Sequence, residues 1–264
     1  MGKIVSMDEE PVRKYLFTEC VVERLGLMPY NQAWRLQERL AAEIAAGQRP
    51  ATLLLLEHPH TYTFGRRGHA ENLLWDQDEL NRRGITIEWV DRGGDATYHG
   101  PGQLVGYPLL PLAPAGWQGN RLPQADFVGY VRDLEKTLIL ALMHLGLATG
   151  QRPGLTGVWV QPDVMSRCPR CDPVLRRQPA KIASIGVKVD VNGVSHHGFA
   201  LNVAPQMDYW EGIIPCGLQG VSMVSLADLL DPVPSMDAVM GAVIASFGEV
   251  FGCRMLTGEG VTIV

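Results

Sequence analysis

The sequence predicts an α+β fold, a single domain with a mixed, largely antiparallel sheet flanked by helices, and three observations carry that prediction. Strand-like and helix-like segments are interspersed without the strict alternation that a parallel sheet imposes. No internal repeat and no composition break marks a boundary, so one domain over residues 1–264 is expected. With 46% hydrophobic and 19% charged residues in 264, the chain has the ordinary balance of a globular protein and not that of a disordered charged tail.

The elements follow in order. Ala33, Leu36, Leu40 and Ile44 recur at steps of three and four, with Gln32, Arg35, Glu38 and Arg39 on other faces. This is an amphipathic helix, stopped by Gly47 and Pro50. ATLLLLE (51–57) is a continuous apolar run and reads as a buried strand. HPHTYTFGRRG (58–68) reads as a loop, and a short helix is expected from Leu73 to Arg83. ITIEWVD (85–91) alternates as a strand does. RGGDATYHGPGQ (92–103) is too rich in glycine to be regular, so it is expected to be a loop throughout. LVGYPLL (104–110) is the next strand, and 111–123 a surface loop. Phe127, Val131, Leu134, Leu138, Leu142 and Leu145 mark a longer helix closed by Gly146. LTGVWV (155–160), KIASIGVKV (181–189) and SHHGFALNV (195–203) are strands, the last two joined by an Asn192-Gly193 hairpin turn. A polar insert rich in Pro and Arg occupies 161–179, and a last helix lies near Met236–Val250.

Charge and cysteine usage narrow the function. Lys plus Arg number 23 against 28 Asp plus Glu, a net charge of −5. That argues against a general nucleic-acid binder, which needs a basic face for phosphates. No apolar run approaches the ~20 residues that cross a bilayer, and the N-terminus MGKIVSMDEEPVRKY is charged where a secretory signal is apolar. A cytoplasmic protein with reduced thiols and no membrane partner is expected, and in that setting a well-placed cysteine can be chemical.

Three segments carry candidate chemistry. The glycines of 92–104 permit close backbone approach to a ligand around His99, although a tight hairpin with a solvated histidine reads equally well. Lys181 opens an apolar strand, where a charge either snorkels at an edge or points into a pocket. Cys216 lies between Pro215 and Gly217 on an irregular segment, where a thiol can be a nucleophile with a glycine amide beside it. Cys168 and Cys171 have metal or redox spacing, but no second pair completes a zinc site; they read as incidental or as linked when oxidised. There is no GxxxxGK[ST] phosphate loop, no G-x-S-x-G elbow, and Glu57-His58-Pro59-His60 is not HExxH.

Together these segments resemble the lipoyl(octanoyl) transferase family. The resemblance rests on LGLMPYNQAW (25–34), HPHTYTFGRRGHAENLL (58–74), DRGGDATYHGPGQLVGYPL (91–109), KIASIGVKV, HHGFALNV (196–203) and IIPCGL (213–218), in the family's order. The insert with its two cysteines departs from the pattern. The resemblance implies a biotin/lipoate protein ligase-like catalytic domain that moves an octanoyl group from octanoyl-acyl carrier protein to a lysine of lipoyl-accepting proteins. Those acceptors are the lipoyl domains of 2-oxoacid dehydrogenase complexes and the glycine cleavage H protein. It further implies that Cys216 carries the acyl group as a thioester, assisted by Lys181; the acceptor amine must lose a proton, for which neutral Lys181 or His99 is the candidate base. The substrate pocket would be lined by Arg92, Gly93, Gly94, Asp95, Ala96, Thr97, Tyr98 and His99, by Ser184, Ile185 and Gly186, and by Gly198, Phe199 and Ala200. A donor that arrives as a thioester needs neither ATP nor another cofactor. The rival readings are an ATP-dependent lipoate- or biotin-protein ligase of the same fold and a silent acyl-protein-binding module. Because both expected protein partners are acidic, docking calls for a local basic patch, for which Arg66-Arg67 and Arg82-Arg83 are the candidates.

Overall fold

The computed structural model describes residues 15, 17–113, 124–168, 170, 171 and 173–257. Its elements in chain order are β1 (Glu19–Leu27), α1 (Tyr30–Ala45), β2 (Ala51–Glu57), β3 (Thr61–Phe64), α2 (Gln77–Arg82), β4 (Thr86–Trp89), β5 (Ala96–His99) and β6 (Gln103–Leu109). Then come α3 (Gln124–His144), β7 (Gly150–Arg152), β8 (Leu155–Val160), α4 (Pro162–Met165), β9 (Ala180–Val189), β10 (Ser195–Asn202), β11 (Ser222–Met223), α5 (Leu226–Leu229), α6 (Met236–Phe251) and β12 (Arg254–Thr257). The large sheet runs β12-β1-β2-β6-β10-β9-β8-β7, with β11 beside β9; a small sheet runs β4-β3-β5. The pairs from β2 to β8 are antiparallel, whereas β1 is parallel to both β2 and β12. The expected mixed, largely antiparallel architecture is therefore the one observed.

The apolar run of β2 has a direct cause. Leu53 and Leu55 face one core, with α3 and α6, while Leu54 and Leu56 face the other, with α1. A strand covered on both faces has no solvent side and so shows no alternation. Helix α3 packs on α6 through Leu134, Leu138, Ala141 and Leu142. The small sheet closes a third core with Tyr62, Phe64, Tyr98, Tyr209 and Trp210.

Several expectations need correction. The segment 58–68 contains β3, and the glycine-rich 92–103 contains β5, which pairs antiparallel to β3 from Thr61↔His99 to Phe64↔Ala96. Short strands of polar and aromatic residues bounded by glycines lack an apolar period. The helix expected over 73–83 is confined to α2, because Asp76 caps it by accepting the Glu79 amide. The surface loop at 111–123 lies, beyond residue 113, outside the described residues. The insert is exposed over much of its length but anchored: Met165 and Cys168 are buried in the main core, and Cys168 Sγ lies 3.3 Å from the Asp228 carbonyl oxygen. Cys168 and Cys171 are joined as a disulfide, the second of the two readings left open for them, although reduced thiols were expected of the chain as a whole. Among the described residues, no helix is long and apolar enough to cross a membrane.

One glycine sets the packing of the two central strands. A Cβ at Gly106 of β6 would stand 2.1 Å from Cζ of Phe199, whose ring lies across it from β10. Gly106→Ala is expected to lower stability by about 1–3 kcal/mol through overpacking. In a Phe199→Ala background the same change should cost far less. Urea denaturation of the four proteins checks this; an undiminished loss would show that the ring is not the obstacle.

Candidate active site

Lys181 and Cys216 are 35 residues apart, and the fold joins them: Nζ lies 3.4 Å from Sγ. The chain after Cys216 returns as β11 beside the start of β9, with Met223 in register with Lys181 and the Val224 amide on the Lys181 carbonyl at 3.0 Å. Lys181 is buried, with 3% of its surface exposed, and does not snorkel. Its stem passes over Gly157, where a Cβ would stand 2.5 Å from Lys181 Cε, and its ammonium lies 5.2 Å from the Trp159 ring centre.

Cys216 occupies the left-handed region, at φ 58° and ψ 17°, and Gly217 follows at φ 66°. A non-glycine residue rarely adopts that conformation, so the surroundings must impose it. The Ile214 amide donates to the Asn72 carbonyl at 2.8 Å, and Leu218 to Pro215 at 3.0 Å. The Asp95 carboxylate stands where a Gly217 side chain would be, 2.5 Å from that Cβ position. Asp95 in turn accepts from Asn72 Nδ2 at 2.5 Å and from the Ala96 amide at 2.7 Å.

Cys216 sits where two cavities meet. One, about 460 Å³ of free space counted with its open mouth, lies between β9, β10, the 92–99 segment and α1. Its wall contains Arg92, Gly93, Gly94, Asp95, Ala96, Thr97, His99, Ser184, Ile185, Gly186, Gly198, Phe199 and Ala200. These are the residues expected from sequence, with the exception of Tyr98. Strand alternation turns Tyr98 away: its ring packs against Tyr62, Tyr209 and Trp210, and its hydroxyl meets His60 Nδ1 at 2.9 Å. The second space, a groove of about 1550 Å³, opens on the other side of Cys216 and is bordered by Lys181, Arg67, His69, Phe127, Val131, Leu155 and Leu218. Among the basic candidates, Arg66 and Arg67 are exposed, with Arg67 on this groove. Arg82 and Arg83 are instead tied to Glu79 at 2.5 Å, and Arg83 also to Asp208 at 2.8 Å. That pairing neutralises them as a docking patch.

Tyr30, Tyr107 and His197 also line the smaller cavity, and sequence reasoning assigned them no role. All three lie in quoted motifs, but nothing in spacing alone points α1, β6 and β10 at one point. Their hydrogen bonds fix the tautomers. His58 Nδ1 faces the Met28 carbonyl at 2.6 Å and so donates, which leaves Nε2 to accept from the Tyr107 hydroxyl at 2.8 Å. His197 Nε2 donates to Asp91 at 2.8 Å, and its Nδ1 accepts from the Tyr30 hydroxyl at 3.3 Å. The hydrogen bond from His197, with Lys188 beside it, holds the Asp91 carboxyl well below the usual carboxylate range. Gln103 spends its amide protons on the Tyr98 carbonyl and Asn202, both at 3.0 Å, so its oxygen accepts from His99 Nδ1 at 2.8 Å. His99 thereby keeps Nε2 as an acceptor. Burial pushes the His99 pKa well below the ordinary histidine value, so the ring is neutral at pH 7. Arg92 is buried with its guanidinium on the Gly93 and Thr63 carbonyls, at 3.0 and 2.7 Å. Among the described residues, no cluster of three or more His, Cys, Asp or Glu could hold a metal ion.

The chain has known relatives. The lipoyl protein ligase A/B catalytic domain matches residues 29–248. A protein of Chloroflexus aurantiacus named octanoyltransferase is 42% identical over 230 residues, 87% of this chain and 93% of its own. One of Solibacter usitatus, also named octanoyltransferase, is 41% identical over 242 residues, 92% and 97% of the two chains. Among solved structures, a bipartite lipoate protein ligase of Thermoplasma acidophilum superposes with a TM-score of 0.64 at 18% identity, covering 94% of this chain and 89% of that one. A lipoate-protein ligase A bound with ATP gives 0.61 at 16% identity, covering 94% and 90%. At those identities the two structures share the fold.

Burial of the site histidines has a measurable consequence. His58 is driven by burial from 6.5 down to about 4. The unfolded chain takes up this proton near pH 6.5, whereas the folded chain refuses it until about pH 4. The stability that His58 gives is thus complete above pH 6.5 and falls as the pH drops, on the order of 3 kcal/mol by pH 4. His99 and His197, also lowered by burial, act in the same direction. Urea midpoints measured from pH 7 to pH 4 should fall less steeply for His58→Gln than for the native chain. Parallel slopes would contradict a buried neutral His58.

Proposed function

As the chain belongs to the lipoyl protein ligase A/B catalytic-domain family and is an octanoyltransferase of protein lipoylation, we propose that it carries the octanoyl group on Cys216 as a thioester. The donor is octanoyl-acyl carrier protein, and the acceptor is a lysine of a lipoyl domain in 2-oxoacid dehydrogenase complexes or of the glycine cleavage H protein. The reaction takes place in the cytoplasm, in one catalytic domain spanning residues 1–264 with the insert at 161–179 as its unusual feature. The observation that carries this reading is the 3.4 Å contact of Lys181 Nζ with Cys216 Sγ at the junction of a smaller, mainly apolar cavity and a larger groove. The smaller, mainly apolar cavity holds the acyl chain, and the groove admits the two proteins in turn.

The chemistry suits a thiol. The Cys216 sulfur attacks the donor thioester carbon; the new C–S bond forms, the old one breaks, and the carrier leaves as a thiol with the proton. One thioester replaces another with little change in bond energy. An ammonium beside sulfur favours the thiolate, which is the nucleophile and the later leaving group. In the second half the acceptor amine attacks, a C–N bond forms, and the thiolate departs toward Lys181. The amine loses a proton to Lys181 in its neutral form or to His99 through Nε2. Burying each methylene of the chain contributes about 0.8 kcal/mol, so the cavity senses length in small steps. Because the donor is already activated, no nucleotide is required. ATP-dependent attachment of free octanoate would instead favour the ligase reading.

Lys181 is tested by two substitutions. Lys181→Ala should slow acylation of Cys216 at pH 7 by roughly ten-fold or more, with partial recovery at higher pH, because a neighbouring charge shifts a thiol by a unit or more. Lys181→Arg keeps the charge but supplies no base, so acylation should survive while transfer to the acceptor lysine collapses. Single-turnover measurement of each half-reaction distinguishes these outcomes. Unchanged acylation in Lys181→Ala would remove Lys181 from the mechanism. For docking, the double change Arg66→Glu, Arg67→Glu should weaken use of the carrier-protein donor at low salt by roughly ten-fold, through lost electrostatic steering, and leave small thioester donors unaffected. Equal loss with both donor types would count against a basic docking patch.

A further inference from the structure

Glu135 is a carboxylate with none of its surface exposed, on α3 among the apolar side chains of the main core. A buried charge is costly unless its hydrogen bonds are met, so its partners show what it holds. Oε2 accepts from Arg132 one turn earlier, at 2.6 Å. Oε1 crosses to the sheet and accepts the Gly157 amide at 2.9 Å. Gly157 is the residue over which the Lys181 stem passes. Its φ is +120°, a conformation that side chains rarely adopt, and a Cβ there would stand 2.5 Å from both Lys181 Cε and the Ala183 carbonyl. The β8–β9 ladder is also irregular here: Val158 faces Ala183 while Trp159 faces Lys181, so Ile182 is skipped. The slipped register leaves the Gly157 amide to be satisfied by the helix.

We propose that Glu135 is a positioning residue for Lys181: by anchoring the Gly157 amide, its carboxylate holds open the notch in β8 that sets Nζ against Cys216. This rests on the reading of Lys181 and Cys216 given above. The carboxylate does not line either cavity beside Cys216 and touches no reacting atom. Without the acceptor, the Gly157 amide would be buried and unpaired, and the 155–157 backbone would turn to find a partner. The stem of Lys181 would then lose the surface that directs it.

The test uses Glu135→Met, which fills the space without an acceptor, and Glu135→Gln, whose amide oxygen still receives the Gly157 N–H. Iodoacetamide alkylation of Cys216 at neutral pH and single-turnover acylation by octanoyl-carrier protein are measured in both, and again in a Lys181→Ala background. Glu135→Met should lower both rates about ten-fold with the KM for the donor nearly unchanged, and Glu135→Gln should stay within about three-fold of native. In the Lys181→Ala background Glu135→Met should cost almost nothing further, because the residue it positions is gone. An equal loss in both backgrounds would overturn the proposal, as would native rates in Glu135→Met. If Glu135→Met fails to fold, a folded Glu135→Gln with a ten-fold loss overturns it, and near-native rates in Glu135→Gln support it. If Lys181→Ala itself leaves both rates unchanged, the reading of Lys181 fails first and this proposal falls with it.

Discussion

The structure depends on one contact, the meeting of an ammonium from a buried strand with a sulfur on a strained turn, 3.4 Å apart. Neither partner is comfortable alone. Lys181 gives up water at the start of an apolar strand, and a buried charge is tolerated where a partner compensates it. Cys216 takes a left-handed backbone that costs on the order of 1–2 kcal/mol for a residue with a side chain. The local structure on both sides serves to keep the pair in place. Gly157 and Trp159 shape the channel for the lysine stem, and Asn72, Asp95 and Gly217 hold the turn that presents the thiol.

That arrangement also explains the architecture around it. On the function proposed above, an acyl group is kept from water while two proteins take turns at the same atom. On that reading the two cavities divide those tasks, the smaller lying between β9, β10 and the 92–99 segment, the larger between that segment and α3. The small sheet β4-β3-β5 exists in this context as the support of the 92–99 segment. The Gly65, Arg66 and Arg67 amides bind the carbonyls of Asp95, Arg92 and Gly94, and the Gly93 amide binds Val187 on the large sheet. The segment is thus fixed from both sides, and its glycines leave room: a Cβ at Gly186 would stand 2.9 Å from the Gly93 carbonyl.

The larger elements were legible in the sequence for a physical reason. α1, α3 and α6, and β2, β6, β8, β9 and β10, form the two main cores, so burial writes a period or an apolar run into them. β3 and β5 were not legible, since their side chains divide between an aromatic core and the site and are mostly polar or aromatic. β1 and β12, an edge pair with partly exposed faces, gave no clear signal either. For the site, residue type and flanking glycines singled out the 92–104 loop, Lys181 and Cys216 only as candidates, and the family resemblance supplied their roles and the pocket wall. What they could not show is convergence. Tyr30, Tyr107 and His197 arrive from three elements, and Glu135 acts from a helix through a peptide group. In sequence, Glu135 is one more acidic residue on an amphipathic helix; only its complete burial distinguishes it.

The central claim is that the octanoyl group passes through Cys216. Intact-mass measurement after mixing the native chain with octanoyl-acyl carrier protein, in the absence of acceptor, tests it directly. The account predicts a mass gain of one octanoyl group, localised to Cys216 by peptide mapping, absent from Cys216→Ser and discharged when a lipoyl domain is added. A native chain that stays unmodified while still octanoylating the acceptor, or an adduct on any other residue that transfers, would contradict it.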